Sequence, residues 1–162
     1  MALGGQLGGV LASDNSRADK TTAPANKPTL PNAAAMTFRL PKDLKFDPNQ
    51  TKGTQKIVLY GDPDKPGNPY EILQKWFPNS MTQPHFHTTD RYIYVVSGTW
   101  WVGSGPKFDP NSTYPTPAGS FVHQFANELH YDGAKGEPCV LIITGVGPAG
   151  LIPPTKLHAE KK

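Results

Sequence analysis

The sequence predicts an all-β protein, folded as an antiparallel sandwich or barrel. Short runs of β-branched and aromatic residues alternate with turns, which 18 Pro and 16 Gly supply in abundance. No segment shows a convincing helical period, and no internal repeat is visible. A length of 162 residues fits one domain. We expect a flexible N-terminal segment at 1–34, a β-barrel at 35–152 and a C-terminal tail at 153–162.

Alternation of apolar and polar residues, together with flanking turns, places the strands along the chain. The predicted strands cover residues 36–40, 55–60, 70–76, 84–87 running into 91–98, 99–102, 119–125, 129–131 and 139–144. Residues 107–116 contain the turn sequence Asp-Pro-Asn-Ser and are predicted to form a loop.

Charge and composition exclude several classes of partner. The chain carries 16 basic and 13 acidic residues, and its net charge of +3 is too balanced for a nucleic-acid or anionic-membrane surface. No apolar run reaches membrane-spanning length. Cys139 is the single cysteine, so neither an intrachain disulfide nor a cysteine zinc cluster can form, and its apolar surroundings predict a buried hydrophobe. The expected partner is therefore a small-molecule substrate or ligand.

Two histidines, His85 and His87, are the strongest chemical signal in the chain. Residues i and i+2 of a strand point to the same face, so both imidazoles can lie side by side on the inner face of a sheet. Two neighbouring imidazoles can supply two of the nitrogen ligands of a transition-metal site. A second segment, residues 119–130, supplies two further histidines, His123 and His130.

The two segments together resemble the paired motifs of the cupin superfamily. The first family motif has His-x-His, then a Glu, and then a Gly at a fixed spacing. His85, His87 and Gly98 fit this spacing, whereas Arg91 occupies the position of the Glu.

The second family motif has a Gly, then Pro-x-Gly, and then a His. Gly119 and His130 fit this pattern, while Phe125 and Asn127 stand at the Pro and Gly positions. The resemblance covers roughly residues 54–148.

This resemblance implies a single-domain cupin-type antiparallel β-barrel, or jelly roll, in which His85, His87 and His130 ligate a divalent transition metal. The metal would be Fe, Mn, Zn, Ni or Cu. Some cupin dioxygenases use three histidines without the Glu, so the resemblance implies a non-haem oxygenase-like enzyme, or a related lyase or isomerase, acting on a small oxygenated organic substrate. The alternative is a non-catalytic cupin that binds or senses a small anion or metal.

Arg91 decides between these interpretations. If it keeps the inward parity of the two histidines, a permanent cation points toward the metal, which is unfavourable in a low-dielectric barrel. It can then pair with Asp90 or another carboxylate, anchor the carboxylate or enolate of a substrate as a catalytic residue, or replace the metal in an anion-binding pocket. With the reverse parity, Arg91 would be an ordinary solvated charge.

His123 is a further candidate at the site. It would either add a fourth nitrogen ligand or donate a hydrogen bond behind the ligands, although a packed core or surface histidine is the more frequent case.

Parity also separates the aromatic residues in the middle of the chain. Adjacent Trp100 and Trp101 must face opposite sides of a regular strand, and Tyr92 and Tyr94 must face away from Arg91. One tryptophan therefore packs on the outside, where it suits the interface of a homodimer.

Residues 1–12 are mildly apolar and Gly-rich, and Val10-Leu11-Ala12 has the small-residue character of a signal-peptidase site. The basic stretch that precedes the apolar part of a signal peptide is absent. Residues 1–12 are therefore either the remnant of an export signal or a plain flexible terminus. The first alternative predicts a periplasmic or secreted protein, and the second a cytoplasmic one.

Overall fold

The structure, a computed structural model, describes Thr29 and residues 31–156. The candidate export signal at residues 1–12 lies outside this part of the chain. The chain divides into two units, Met1–Thr37 and Phe38–Lys162, and the strands described below belong to the second unit. Over the described range, no helix is both long and apolar enough to cross a membrane.

The strands pair into two antiparallel sheets, which confirms the all-β prediction. In chain order they are β1 (Thr54–Gly61), β2 (Pro69–Trp76), β3 (Ser80–Met81), β4 (Arg91–Ser97), β5 (Thr99–Ser104), β6 (Tyr114–Pro117), β7 (Phe121–Gln124), β8 (His130–Ala134) and β9 (Cys139–Val146). The larger sheet has the order β1-β2-β9-β4-β7, and the smaller has the order β3-β8-β5-β6. The segment with His85 and His87 therefore leads into the larger sheet through β4, and His130 begins β8 of the smaller sheet.

Alternating side chains of the larger sheet form most of the core, and the smaller sheet adds Trp100 and Ala134. In β4, Arg91, Ile93 and Val95 are buried, whereas Tyr92 and Tyr94 are 46% and 49% exposed, as the alternation predicts. Burial alternates in the same way along β2 and β9. The core cluster consists of Tyr70, Ile72, Trp76, Ile93, Val95, Trp100, Ala134, Cys139, Leu141 and Ile143. Removal of this apolar surface from water holds the two sheets together.

The neighbouring tryptophans separate as predicted. Trp100 is 1% exposed and lies in the core, while Trp101 faces the other side of β5, where the Lys135 ammonium lies 3.8 Å from its ring centroid. Cys139 is fully buried, also as predicted, and burial raises the pKa of its thiol to about 12. Cys139 is thus a packing residue.

Two predictions of local structure outside the histidine segment are wrong. Residues 36–40 form no strand; Met36, Phe38 and Leu40 are 50%, 44% and 39% exposed, so their alternation has no buried face. The predicted loop at 107–116 contains the start of β6. Pro115 and Pro117 conceal this strand in the sequence, and they are tolerated because β6 is an edge of its sheet.

Gly98, in the turn between β4 and β5, is required by close packing. Its φ is +70°, and a Cβ there would lie 2.2 Å from the carbonyl oxygen of Pro138. We expect Gly98→Ala to lower the free energy of unfolding by more than about 2 kcal/mol, because backbone strain and the clash add. Gly67→Ala is the matched control, since Gly67 has a φ of +76° but no neighbouring atom within 4 Å of an added Cβ. Equal losses in urea unfolding would contradict the close packing of this turn.

Candidate metal centre

The histidines of the two motifs meet inside the barrel. His85 and His130 form an antiparallel bridge, in which each backbone N–H donates to the carbonyl of the other over 2.9 Å. One ring nitrogen from each of His85, His87 and His130 lies within 4.8 Å of the other two. The three residues are 2%, 3% and 9% exposed. The fold thus brings together three imidazoles that lie far apart in the sequence.

The histidine pair does not lie in a continuous strand, which corrects the sequence prediction. Isolated bridges anchor this extended segment, including one between Phe86 and Ile152. The backbone N–H of Asn127 also donates to the His87 carbonyl over 2.7 Å. Asn127 adopts a φ of 62°, a left-handed conformation that asparagine tolerates better than most residues. This conformation explains how asparagine replaces the glycine of the second family motif.

Backbone carbonyls hold the three imidazole rings in one tautomer. Each Nδ1 donates to a carbonyl oxygen at 2.9 to 3.0 Å: His85 to Gln83, His87 to Gly150 and His130 to Glu128. Because a carbonyl oxygen only accepts, Nδ1 carries the proton and the Nε2 lone pair is left to accept. His130 Nε2 is buried without a hydrogen-bond partner. Backbone carbonyls orient the rings of many metal-ligating histidines in this way.

Burial keeps these imidazoles neutral. Burial, followed by the positive charge of Arg91, lowers the pKa of His87 to about 2. Burial also lowers the pKa of His85 and the pKa of His130. The neutral ring is the form that ligates a metal, so the electrostatics of the site suit metal binding near neutral pH.

Arg91 points into the barrel and contacts the histidine cluster. It is 8% exposed, and its Nη1 donates to His87 Nε2, so the solvated alternative is wrong. Pairing with Asp90 does not occur, because that carboxylate accepts from the Ala126 backbone N–H at 2.8 Å and from His123 at 2.9 Å. No other carboxylate of the described residues forms an ion pair with Arg91 either. Two of the outcomes expected for Arg91 remain: it binds an anion beside a metal, or it binds an anion in place of one.

His123 lies on the outer face of the larger sheet, which corrects the fourth-ligand hypothesis. It pairs in register with Tyr92 and stacks on that exposed ring at a centroid distance of 4.7 Å. Its Nε2 donates to Asp90. His123 therefore takes no part in the cluster; it is a packed surface histidine that lines a cavity shared with His130.

Asp132 borders the cluster and was missed in the sequence. It is 5% exposed, and its Oδ2 lies 3.7 Å from Nε2 of His130. Thr82 fixes its backbone: the Asp132 N–H donates to Thr82 Oγ1 over 3.0 Å, and the Thr82 N–H donates to the Asp132 carbonyl oxygen over 2.8 Å. The signal was present, because Asp132 follows His130 by two residues and shares its face of β8. A carboxylate thus lies near the site although Arg91 stands at the position of the Glu in the motif that this segment resembles.

Two cavities border the histidine cluster. The smaller, of about 80 Å³, is lined by His85, His87, Arg91 and Asp132, with Lys56 and Gln74 from the first two strands. The larger, of about 420 Å³, reaches His130 and has apolar and aromatic walls that include Tyr114, Phe125 and Leu129. Its volume falls within the roughly 300–1,000 Å³ typical of small-molecule pockets.

The donor set fits a divalent transition metal. Neutral imidazoles suit Zn, Cu, Fe and Ni, and a metal would satisfy the orphaned Nε2 of His130. Binding requires Arg91 to withdraw from His87 Nε2, because one lone pair cannot serve both a guanidinium and a metal. The three-histidine cluster can hold a metal once Arg91 has withdrawn. Its nitrogen donors do not select between Zn, Cu, Fe and Ni.

Solved structures of low sequence identity share the architecture. RemF, a polyketide cyclase from Streptomyces resistomycificus, matches with a TM-score of 0.57 at 20% identity, over 74% of this chain and 85% of its own. A conserved uncharacterized protein with a double-stranded β-helix domain from Klebsiella pneumoniae gives a TM-score of 0.52 at 14% identity, over 72% and 96% of the two chains.

A cupin 2 conserved barrel domain protein from Leptotrichia buccalis gives a TM-score of 0.51 at 14% identity, over 68% of this chain and 47% of its own. No family model matches the sequence, and comparison with curated proteins gives no match. Identities this low establish the fold and no activity. The protein therefore has the double-stranded β-helix fold of the cupin superfamily, as its two histidine motifs predicted.

Proposed function

We propose that this protein is a metal-dependent cupin enzyme that acts on a small oxygenated organic substrate, as a three-histidine non-haem oxygenase or a related lyase or isomerase. His85, His87 and His130 would hold a divalent transition metal through their Nε2 atoms. One observation carries the proposal: each Nδ1 is engaged by a backbone carbonyl, and the ligand atoms lie within 4.8 Å of one another.

The proposed roles of the surrounding residues follow from their position. A metal, when bound, supplies Lewis-acid or redox chemistry at the positions that three protein ligands leave open. Arg91 would bind the anionic oxygen of the substrate, a carboxylate or enolate, through its guanidinium. The larger cavity beside His130 would hold the apolar part of the substrate away from water.

A non-catalytic cupin that binds a small anion is the second candidate. The contact between Arg91 Nη1 and His87 Nε2 favours it, because a guanidinium that stays there occupies one of the ligand nitrogens. In that form the barrel would hold an anion and perform no turnover.

Metal analysis of protein purified without a metal-binding tag separates the two candidates. The enzyme proposal predicts about one transition-metal ion per chain, either as purified or after reconstitution with Fe(II). Failure to retain a metal under both conditions would reject it in favour of the anion-binding protein.

Turnover needs a separate screen. We would measure oxygen consumption by the Fe(II)-loaded protein with diketones, phenolic ketones and thiol acids, and product formation under nitrogen with the same compounds. Oxygen uptake would indicate an oxygenase, and oxygen-independent product would indicate a lyase or isomerase. Ketones are included because RemF, a neighbour in fold, is a polyketide cyclase. No change in any compound would favour the binding protein.

Asp132→Asn tests the carboxylate beside the cluster, because it removes the charge and nearly preserves the size. Because Oδ2 lies 3.7 Å from His130 Nε2, the nitrogen proposed to bind the metal, loss of this charge should weaken binding of a divalent cation by about tenfold or more. Affinity is measured by competition with a chromogenic chelator. Asp90→Asn is the control, since Asp90 pairs with His123 on the outer face. An unchanged affinity in Asp132→Asn would exclude this role.

A further inference from the structure

The smaller cavity beside the histidines is bordered by two cations. Arg91, at the start of β4, and Lys56, in β1, line the same space of about 80 Å³. Lys56 pairs in register with Gln74, whose buried side chain also lines the cavity. Although Lys56 as a residue is exposed, desolvation around its ammonium and then the charge of Arg91 lower its pKa, which indicates that the two cations act on each other.

Neither cation forms an ion pair with an acid in the described part of the chain, although the charge of Asp132 acts on both from a distance. The ion pairs found there join His123 to Asp90 and His130 to Asp132. Asp132 also lines the cavity, but its Oδ2 lies near His130 and 3.5 Å from the amide nitrogen of Gln124. Two positive side chains thus face a single negative one around this space.

Arg91 also carries an unsatisfied donor. The residue is more than nine-tenths buried, at 8% exposed, and its Nε has no hydrogen-bond partner. Leaving a charged donor buried without an acceptor is costly, and an acceptor placed in the adjoining cavity removes that cost. The cavity and the orphaned Nε together point to an anionic ligand.

We infer that this cavity is a subsite for a small carboxylate, which Arg91 and Lys56 bind from two sides and Gln74 contacts through its amide. A planar carboxylate matches the donor fork of a guanidinium. At about 80 Å³, the space is far smaller than the roughly 300–1,000 Å³ that whole drug-sized ligands occupy. It therefore admits a compact charged group, and the rest of the ligand must lie elsewhere.

Only one part of this inference rests on the proposed function: that the carboxylate belongs to the substrate of the metal centre. Binding of the anion itself depends on the two cations and requires no metal. The two ideas can therefore fail separately.

The test is calorimetric titration of sodium acetate into the full-length, metal-free protein at constant ionic strength. We expect Lys56→Gln to bind acetate about tenfold more weakly than wild type or worse, the size expected for a lost charged hydrogen bond. Lys56 is an exposed residue, so its replacement by glutamine should not disturb the core and the variant should fold. Lys135→Gln is the matched control, because its ammonium lies over Trp101 on the outer face of β5. Phosphate, run in parallel, should bind more weakly than acetate.

The inference is overturned if wild-type protein does not bind acetate, if Lys56→Gln and Lys135→Gln lose affinity equally, or if phosphate binds more tightly than acetate. Zinc titration of the same variants distinguishes the carboxylate subsite from the metal centre, because Lys56→Gln should bind zinc with the affinity of wild type. Acetate binding without zinc binding would reject the metal enzyme and retain the subsite. Zinc binding without acetate binding would reject the subsite alone.

Discussion

His130→Ala is expected to lose stoichiometric metal binding, whereas His123→Ala is expected to keep it. His130 Nε2 is buried and unpartnered, and one ring nitrogen of His130 lies within 4.8 Å of one from each of the other two histidines. Its removal leaves two imidazoles for the metal, and the affinity should fall by more than the roughly 10–100-fold that loss of a supporting group costs. Titration with zinc or cobalt against a competing chelator measures the change.

His123→Ala is a demanding control because it removes the same side chain from the same barrel. Its ring stacks on Tyr92 and bonds to Asp90, on the face of the sheet opposite to Arg91. Circular dichroism of both variants establishes that each is folded. Equal metal affinities in the two variants would show that the cluster is not the metal site.

The second large effect concerns the core, where Trp100→Ala should lower the free energy of unfolding by about 3–5 kcal/mol. Trp100 is 1% exposed and packs between the sheets, so its truncation leaves a large cavity. Trp101→Ala should cost only roughly 1–2 kcal/mol, since this partly exposed ring loses limited burial and one cation–π contact with Lys135. Urea unfolding of both variants gives the comparison.

The tryptophan pair tests the strand register directly because the two residues are adjacent and chemically identical. A slip of one residue in β5 would exchange their faces and reverse the order of the two effects. A larger loss in Trp101→Ala than in Trp100→Ala would therefore contradict the register of β5 against β8 described here.

Strand alternation made the fold and the facing of many side chains predictable. The inward parity of Arg91 and the outward parity of Tyr92 followed from the sequence, because β4 is a regular strand. Prediction failed where neighbours decide the outcome. Residues 36–40 alternate but have no buried face, and β6 contains prolines that only an edge position allows.

The candidate site was predictable in part for the same reason. Motif spacing named His85, His87 and His130, but the face of His123 depends on its pairing with Tyr92, which one strand alone does not reveal. Asp132 shares a face with His130, yet its place beside the cluster depends on how β8 packs against the histidine segment. The contact of Arg91 with His87 is likewise a product of three-dimensional packing.

X-ray absorption spectroscopy of the zinc-loaded protein tests most directly whether the three histidines form one metal site. The proposed site predicts a first shell with three imidazole nitrogens at about 2.0–2.1 Å, which requires that Arg91 has left His87 Nε2. A shell with fewer than three imidazoles, or a protein that retains no zinc, would contradict it.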